Sequence, residues 1–435
     1  MPYTLKPSDK LIVMSRQMFS SPNDWKEVAR FNNLKNPDSL RAGQVIRIPL
    51  RFMQSRPAGA KIVSASGDVQ LAGSPAGVGT LLAEGGRLQT GANSSAVVEL
   101  ADGSRMTLLP NTLAELATSR NYATRDVGKS ASSTWFSGLV RLAQGGLETL
   151  AAKAARRATP LQIETATSTV GVRGTEFRVA FDDPAGGSAR TEVIEGKVRA
   201  DNTAQQSGAD VPTGKGAVIK PAEKDIKVVN LLPAPNLAGI PAEVIKPPGN
   251  WPMPVPAGAV AYRVQVASDE KFEKIVRDLK VEGTGGSASL ATLANGSWFA
   301  RVRGIDPAGL EGFDAVKRIS LKNAIWRVSY SSMSLVNGQA VLVWTGQLSD
   351  GLPLTGSGFS ALLGTDAALT QGVVTAEGNN QQLALGELKP GVYFIRLGSK
   401  LPQGGSFDSG VYRLVIPETW GQSQFLLNSP LEALN

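Results

Sequence analysis

One segment of this 435-residue chain is written twice. Leu293-x-x-Gly296-x-Trp298-Phe299-x-Arg301-Val302 recurs as Leu388-x-x-Gly391-x-Tyr393-Phe394-x-Arg396-Leu397, about 95 residues on. Upstream, Tyr262, Asp269 and Phe272 have a weaker echo in Phe359, Asp366 and Leu369. A repeat of that length is the size of one antiparallel sandwich. Within it Trp298, Ala300 and Val302, like Tyr393, Ile395 and Leu397, alternate as core positions of a strand. The same alternation turns the aromatics inward, away from any role as sugar platforms. Two β-sandwich modules are therefore predicted, over residues 251–322 and 323–435.

Composition narrows the chemistry. The chain has 47 Gly and 26 Pro, which fits many turns between short strands, and it has neither Cys nor His. A thiol nucleophile, a Ser-His-Asp triad and a thiolate or imidazole metal site are thus excluded, and no cofactor or metal is predicted. Paired carboxylates remain possible in principle. The adjacent Asp182 and Asp183 lie in a Pro/Gly turn where acids are ordinarily solvated. Neither a phosphate-binding loop nor an S-x-x-K dyad with its supporting context is present, so no enzyme activity is predicted. No run approaches the 18 or more apolar residues of a membrane span, and the first residues lack a basic segment followed by an apolar stretch. An exported protein of this kind would have lost its signal peptide before Met1.

Net charge is +8, unevenly placed. Residues 1–56 hold ten Lys and Arg against four acids, and residues 120–157 hold seven against two. Such patches favour polyanions, but no helix-turn-helix, zinc or RNA-binding signature accompanies them, so nucleic acid is not predicted as a partner.

Residues 3–49 read as strand, helix, helix, strand. Tyr3-Thr4-Leu5 is extended and Pro7-Ser8-Asp9-Lys10 turns; Leu11 to about Phe19 is helical. Asn23-Asp24 caps a second helix with Trp25, Val28, Ala29 and Leu34 on one face. Gln44 to Pro49 alternates with Ile46 and Ile48 inward. Asn32, Leu34, Asn36, Pro37, Leu40, Gly43, Gln44, Ile46, Ile48 and Pro49 together resemble the second half of a LysM domain. The first half departs from the family, with Ser8 in place of Gly and Lys10 in place of Thr. The resemblance implies a small α+β (βααβ) domain over 1–52 that binds peptidoglycan or another N-acetylglucosamine polymer. By position, its groove would use Ser8, Asp9, Lys10 and Leu11 on one side and Asn36, Pro37, Asp38, Ser39 and Leu40 on the other. Peptide stems of the wall carry carboxylates, which suit the basic segment.

Residues 62 to about 200 read as almost wholly β. Ala96–Leu100 and Arg105–Leu108 alternate around Asp102-Gly103, a strong hairpin signal, with Val98, Leu100, Met106 and Leu108 on the core face. Phe177–Phe181 turns through Asp182 to Gly187 and returns from Thr191, whereas Leu147 to Ala155 fits helix or strand equally. Gly67-Asp68-Val69, Gly91-x-Asn93-Ser94, Asp102-Gly103-Ser104, Gly171-Val172-Arg173-Gly174-Thr175-Glu176-Phe177 and Glu195-Gly196-x-Val198 resemble the FecR domain. That resemblance implies a β-rich domain over 60–228. In its motif Gly171, Arg173, Gly174, Thr175, Glu176 and Phe177 are read as structural, with Arg173 and Glu176 an internal ion pair. Residues 229–250, rich in Pro, read as an extended linker. The two C-terminal modules resemble fibronectin type III modules.

The predicted protein is mainly β and multidomain: an exported, non-enzymatic, periplasmic envelope protein with a LysM anchor. Its FecR and sandwich modules would meet an envelope or membrane protein partner. The alternative is a periplasmic signalling component whose FecR domain senses a ligand or touches a membrane sensor; a wall-glycan hydrolase is the remote third.

Overall fold

A computed structural model describes the chain except for residues 125–132, 154–156, 173, 184–186, 240–241, 246–250, 253–257, 284–286, 291–292, 295, 323–325, 349–355, 357, 401–405 and 435. It divides into two compact units. The first comprises residues 1–239, 252–288 and 298–318, and the second 240–251, 289–297 and 319–435.

The first unit opens with the small α+β domain. Strand Pro2–Thr4 pairs antiparallel with Val45–Arg47, setting Tyr3 opposite Ile46. Helices α1 (Leu11–Met18) and α2 (Trp25–Phe31) pack beneath them. Tyr3, Leu5, Leu11, Met14, Met18, Val28, Ala29, Ile46 and Ile48 form its core. The Asn23-Asp24 cap does not form: Asp24 makes no side-chain capping bond, because its Oδ2 accepts the N–H of Ser21 behind it. The domain also merges with the neighbouring barrel. Strand Ser55–Pro57 pairs with Arg120–Tyr122, and Tyr122 and Ala158 complete the core beside Phe19 and Met53.

Strands from Ser55 to Asn230 close into that barrel around one apolar core. The Asp102-Gly103 hairpin pairs Met106 with Val98 and Leu108 with Ala96, and Val98, Leu100, Met106 and Leu108 are all buried. The segment left open between helix and strand is strand: Ser133–Leu150 runs for 18 residues. It pairs with Leu113–Thr124 up to Gln144, then with Glu176–Asp183 from Gly145 onward. Gly145 makes that handover possible. At φ +86° it takes a conformation L side chains rarely adopt, and a Cβ there would lie 2.4 Å from Thr112 Oγ1. Core residues alternate regularly here: Leu147, Val179 and Val193 point inward and are fully buried.

The segment read as a free linker begins as part of the barrel. Val228–Asn230 pairs with Lys215–Ala217, the Leu231 N–H donates to the Gly214 carbonyl, and Leu231 and Leu237 are buried. Apolar side chains beside the prolines give this stretch something to bury, which proline content alone does not report. Pro241, Pro247, Pro248, Pro254 and Pro256 lie outside the described residues. The first module then packs on the barrel within the same unit. Its strands Ala261–Ala267, Ile275–Glu282 and Gly296–Ile305 form an antiparallel sheet in which Tyr262, Val264, Val266, Ala300 and Val302 are buried on one face.

In the second unit two sheets face each other as a sandwich. One holds Trp326–Val336, Gln339–Leu348, Gln382–Ala384 and Leu426–Asn428; the other holds Gly358–Gly364, Val374–Gly378, Gly391–Lys400, Ser406–Ile416 and Leu431–Ala433. Trp326, Trp344, Phe359, Ile395, Leu397 and Leu414 meet between them. Trp344 stands edge-to-face on Phe359 at 5.9 Å. The faint echo proves to be a shared loop. Asp269 and Asp366 each accept several backbone N–H groups of the loop that comes next, and Phe272 and Leu369 both stand at φ +55° with buried side chains.

Candidate glycan-binding site and a buried ionic layer

The two loops of the predicted groove start from one tie. Leu5 and the end of the second loop exchange backbone bonds, Leu5 N–H to Gln44 O and Gly43 N–H to Leu5 O, both at 2.8 Å. The turn after Leu5 carries Ser8 at φ +79°. This is the left-handed region in which Gly is at ease, so the departure from the family's Gly costs about 1 kcal/mol of backbone strain. Asp9 is committed to holding the turn: its Oδ2 accepts from Lys6 N–H at 2.8 Å and Tyr3 OH at 3.1 Å. Lys10 is exposed at the start of α1. Leu11 is 1% exposed and belongs to the core, which leaves only its backbone for a ligand. On the other side Asn36 organises the loop, with Oδ1 accepting from Asp38 N–H and Nδ2 donating to Ser39 Oγ, both at 3.0 Å. Asp38 and Ser39 are exposed, Pro37 and Leu40 half-buried, and Leu40 leans on the core.

The FecR-motif residues lie in turns and core contacts of the barrel. Gly67 stands at φ +73° against Ser94, whose Oγ accepts the Asp68 N–H at 2.9 Å. Asp102 does more than turn the hairpin. Its carboxylate accepts from Arg157 Nε at 2.7 Å, and both side chains are almost completely buried. Gly174, at φ +63°, lies against Lys153, Gly171 pairs across to Arg199, and Phe177 is fully buried. Thr175 is buried beside Gly196, where a Cβ would come within 2.5 Å of its Cγ2. Glu176 is exposed, opposite Glu195 in the next strand. The Arg173–Glu176 pair lies outside the described residues, since Arg173 is not among them. Asp182 is ion-paired with Arg190. Among the described residues no group of three or more His, Cys, Asp and Glu is placed to hold a metal, and no helix is long and apolar enough to cross a membrane.

A buried ionic layer, which no local sequence pattern marks, joins the barrel to the module after it. On the barrel, Glu148, Arg178 and Glu192 stand opposite one another in a cross-strand row, on the face turned away from the apolar core. The module's sheet presents Arg263 opposite Arg303 and Gln265 opposite Arg301. These faces meet and are buried together. Arg301 donates to Glu148 at 3.0 and 3.1 Å and lies over the Phe272 ring; Arg303 reaches Glu148 at 2.5 Å, Glu311 at 2.8 Å, and Asp314. Arg178 grips Asp314 at 2.7 Å and the Gly312 carbonyl at 2.9 Å, and Arg263 holds Asp278 and Glu311. Burial pushes the Glu148 carboxyl up, but Arg301 and Arg303 together overrule it and leave it at about 2. Burial likewise raises Glu311, and Arg263 and Arg303 bring it well below the usual carboxylate range. At the margin, Ser95 Oγ and Asn93 Oδ1 accept the N–H groups of Ile275 and Asp278, both at 3.0 Å.

Comparison with known proteins places two of these parts. Residues 16–49 match the LysM domain, and residues 86–199 match the FecR protein family. The chain thus carries one LysM domain and one FecR domain, neither of them a catalytic family, and both typical of envelope or periplasmic proteins. An uncharacterized protein of Deinococcus radiodurans is 38% identical over 47 residues, which are 11% of this chain and 19% of that one. The chain therefore spans about a fifth of that relative's length. Among solved structures, a candidate anti-sigma factor from Parabacteroides distasonis is 17% identical over 33% of this chain and 59% of its own, at a TM-score of 0.25. The FN1–FN3 domains of chicken CNTN1 are 13% identical over 76% of this chain and 98% of theirs, also at 0.25. Likeness at that level decides nothing about fold or partner.

Proposed function

We propose that this is a non-enzymatic periplasmic protein that binds peptidoglycan through its LysM loops and presents the FecR barrel and sandwich modules to a protein partner of the envelope or membrane. The observation that carries the reading is the LysM domain itself, with Lys10, Asp38 and Ser39 exposed on two loops tied together at Leu5. Ser8, Asp9 and Asn36 shape the loops, while Lys10, Pro37, Asp38, Ser39 and Leu40 are the side chains offered to a glycan. Removing the whole domain is a poor test, because Tyr122 and Ala158 of the barrel share its core. Co-sedimentation of the full chain with purified peptidoglycan is a better one. Asn36→Ala, which undoes the second loop, should abolish pelleting while shifting stability by only about 1 kcal/mol. Pelleting unchanged in both Asn36→Ala and Lys10→Glu would place wall binding elsewhere in the chain. Binding that vanishes at moderate salt would reduce it to unspecific attraction, since exposed charges are screened beyond about 8 Å at physiological ionic strength.

A further inference from the structure

The ionic layer is balanced except for one acid. Four arginines, Arg178, Arg263, Arg301 and Arg303, are matched by four acids, Glu148, Asp278, Glu311 and Asp314. Glu192 is a fifth acid in the same layer, 2% exposed, and among the described residues no cation comes within ion-pair distance of it. Its hydrogen-bond partner is the Glu311 N–H, which donates to Oε1 at 3.2 Å. The nearest arginines, Arg190 and Arg178, favour its ionised form but are held by other acids. Arg178, directly opposite on strand Glu176–Asp183, spends its guanidinium on Asp314 and on the Glu311 and Gly312 carbonyls. Gly216, opposite on strand Lys215–Ile219, brings no charge. Arg190, on the same strand, is paired with Asp182. From the module come Glu311, whose carboxylate is already held by Arg263 and Arg303, and Asp314. A neutral Glu192 leaves the layer balanced; an ionised one puts an uncompensated charge between two packed sheets.

We propose that Glu192 is a proton-operated latch between the FecR barrel and the module after it in the chain: protonated, it lets the two faces close, and ionised, it drives them apart. The reading is independent of the glycan assignment. Burial, and after it Glu311, raise the Glu192 carboxyl to about 7, against an ordinary value of 4.5. A carboxyl raised on closing favours the closed state fully below the ordinary value, and that preference is lost as pH rises through the raised one. One proton then makes opening up to about tenfold more frequent per pH unit between those limits. In a compartment whose pH tracks the surroundings, the barrel face bearing Glu148, Arg178 and Glu192 would be covered in acid and uncovered near neutrality.

Hydrogen exchange of the full chain tests this. The amides of Ile275 and Asp278 donate across the closed layer and exchange only when it opens. Exchange at exposed amides is itself base-catalysed, so between pH 5 and 7 a latch should make these two rates climb about a hundredfold per pH unit. The amide of Ile395, in the second unit, should climb only about tenfold and serves as the internal reference. Glu192→Gln keeps the acceptor for Glu311 N–H and should bring Ile275 and Asp278 back to the tenfold slope. A tenfold slope at Ile275 and Asp278 in the unaltered protein overturns the proposal, whether or not the Gln variant folds. So would a steep slope that survives Glu192→Gln.

Discussion

The two copies of the repeat use the same strand in opposite ways. Arg301 and Arg396 occupy equivalent positions in the motif, and Ala300, Val302, Ile395 and Leu397 are buried alike. Arg301 is 5% exposed and bonded to Glu148 and Gln265, whereas Arg396 is half-exposed and makes no ion pair among the described residues. Two residues on, the first copy has Arg303, 1% exposed, where the second has Gly398. Side chains on the core face were kept apolar by the need to close a module. Those on the other face were free to answer whatever covers them. A single strand pattern therefore guarantees a fold and leaves its outer face open to specialisation.

That contrast can be broken or sharpened by substitution. Arg303→Ala should be the most damaging single change, because Glu311 would stay buried, and Glu148 largely so, with a cation missing. A loss of about 3–5 kcal/mol is expected in denaturant unfolding of the first unit. If it proves as mild as an exposed substitution, the layer is ornament and the comparison collapses. Acid should come next. Glu148, held at about 2 in the packed state against an ordinary 4.5, contributes stability that is complete above 4.5 and lost as pH falls toward 2. The expected loss is about 3 kcal/mol in the first unit. The near-ultraviolet signal of Trp326 and Trp344 in the second unit should outlast it. Ile395→Val, a pure packing change in the second sandwich, should cost about 0.5–1.5 kcal/mol and leave exchange at Ile275 untouched. Arg396→Ala should sit at the bottom, within about 0.5 kcal/mol of the parent by thermal melting.

Local pattern made much of this architecture legible. Asn36-Pro37 and Ile46-x-Ile48 announced the small domain, Asp102-Gly103 announced its hairpin, and alternation in 300–302 and 395–397 named the cores. Each of those signals sits within a few residues of the element it specifies. The ionic layer does not. Arg303 meets Glu148 across 155 residues of chain, and an outward Arg reads the same whether water or a second sheet covers it. Arg157 finds Asp102 across 55 residues, so the buried pair that braces the FecR motif was no more visible. Asp24 shows a local limit too: a capping side chain has neighbours on both sides and here chose Ser21. In the two LysM loops, residue type located the turn at Ser8, but only the side-chain hydrogen bonds of Asp9 and Asn36 distinguish these struts from the exposed Lys10 and Asp38.

Such long separations in the ionic layer also set an order of assembly. The small domain's helices make contacts a few residues apart and can form as soon as they emerge, whereas the layer must wait until residue 314 is available to meet strands completed more than a hundred residues earlier. During that wait the barrel holds out a broad face to its surroundings. Were the face apolar, it would be a site for aggregation in every half-finished chain. Built from Glu148, Arg178 and Glu192, it stays hydrated until its cover arrives, then closes with its charges matched except at Glu192. Pulse-labelled exchange during refolding should accordingly protect the amides of α1 and α2 early and those of Ile275 and Asp278 last.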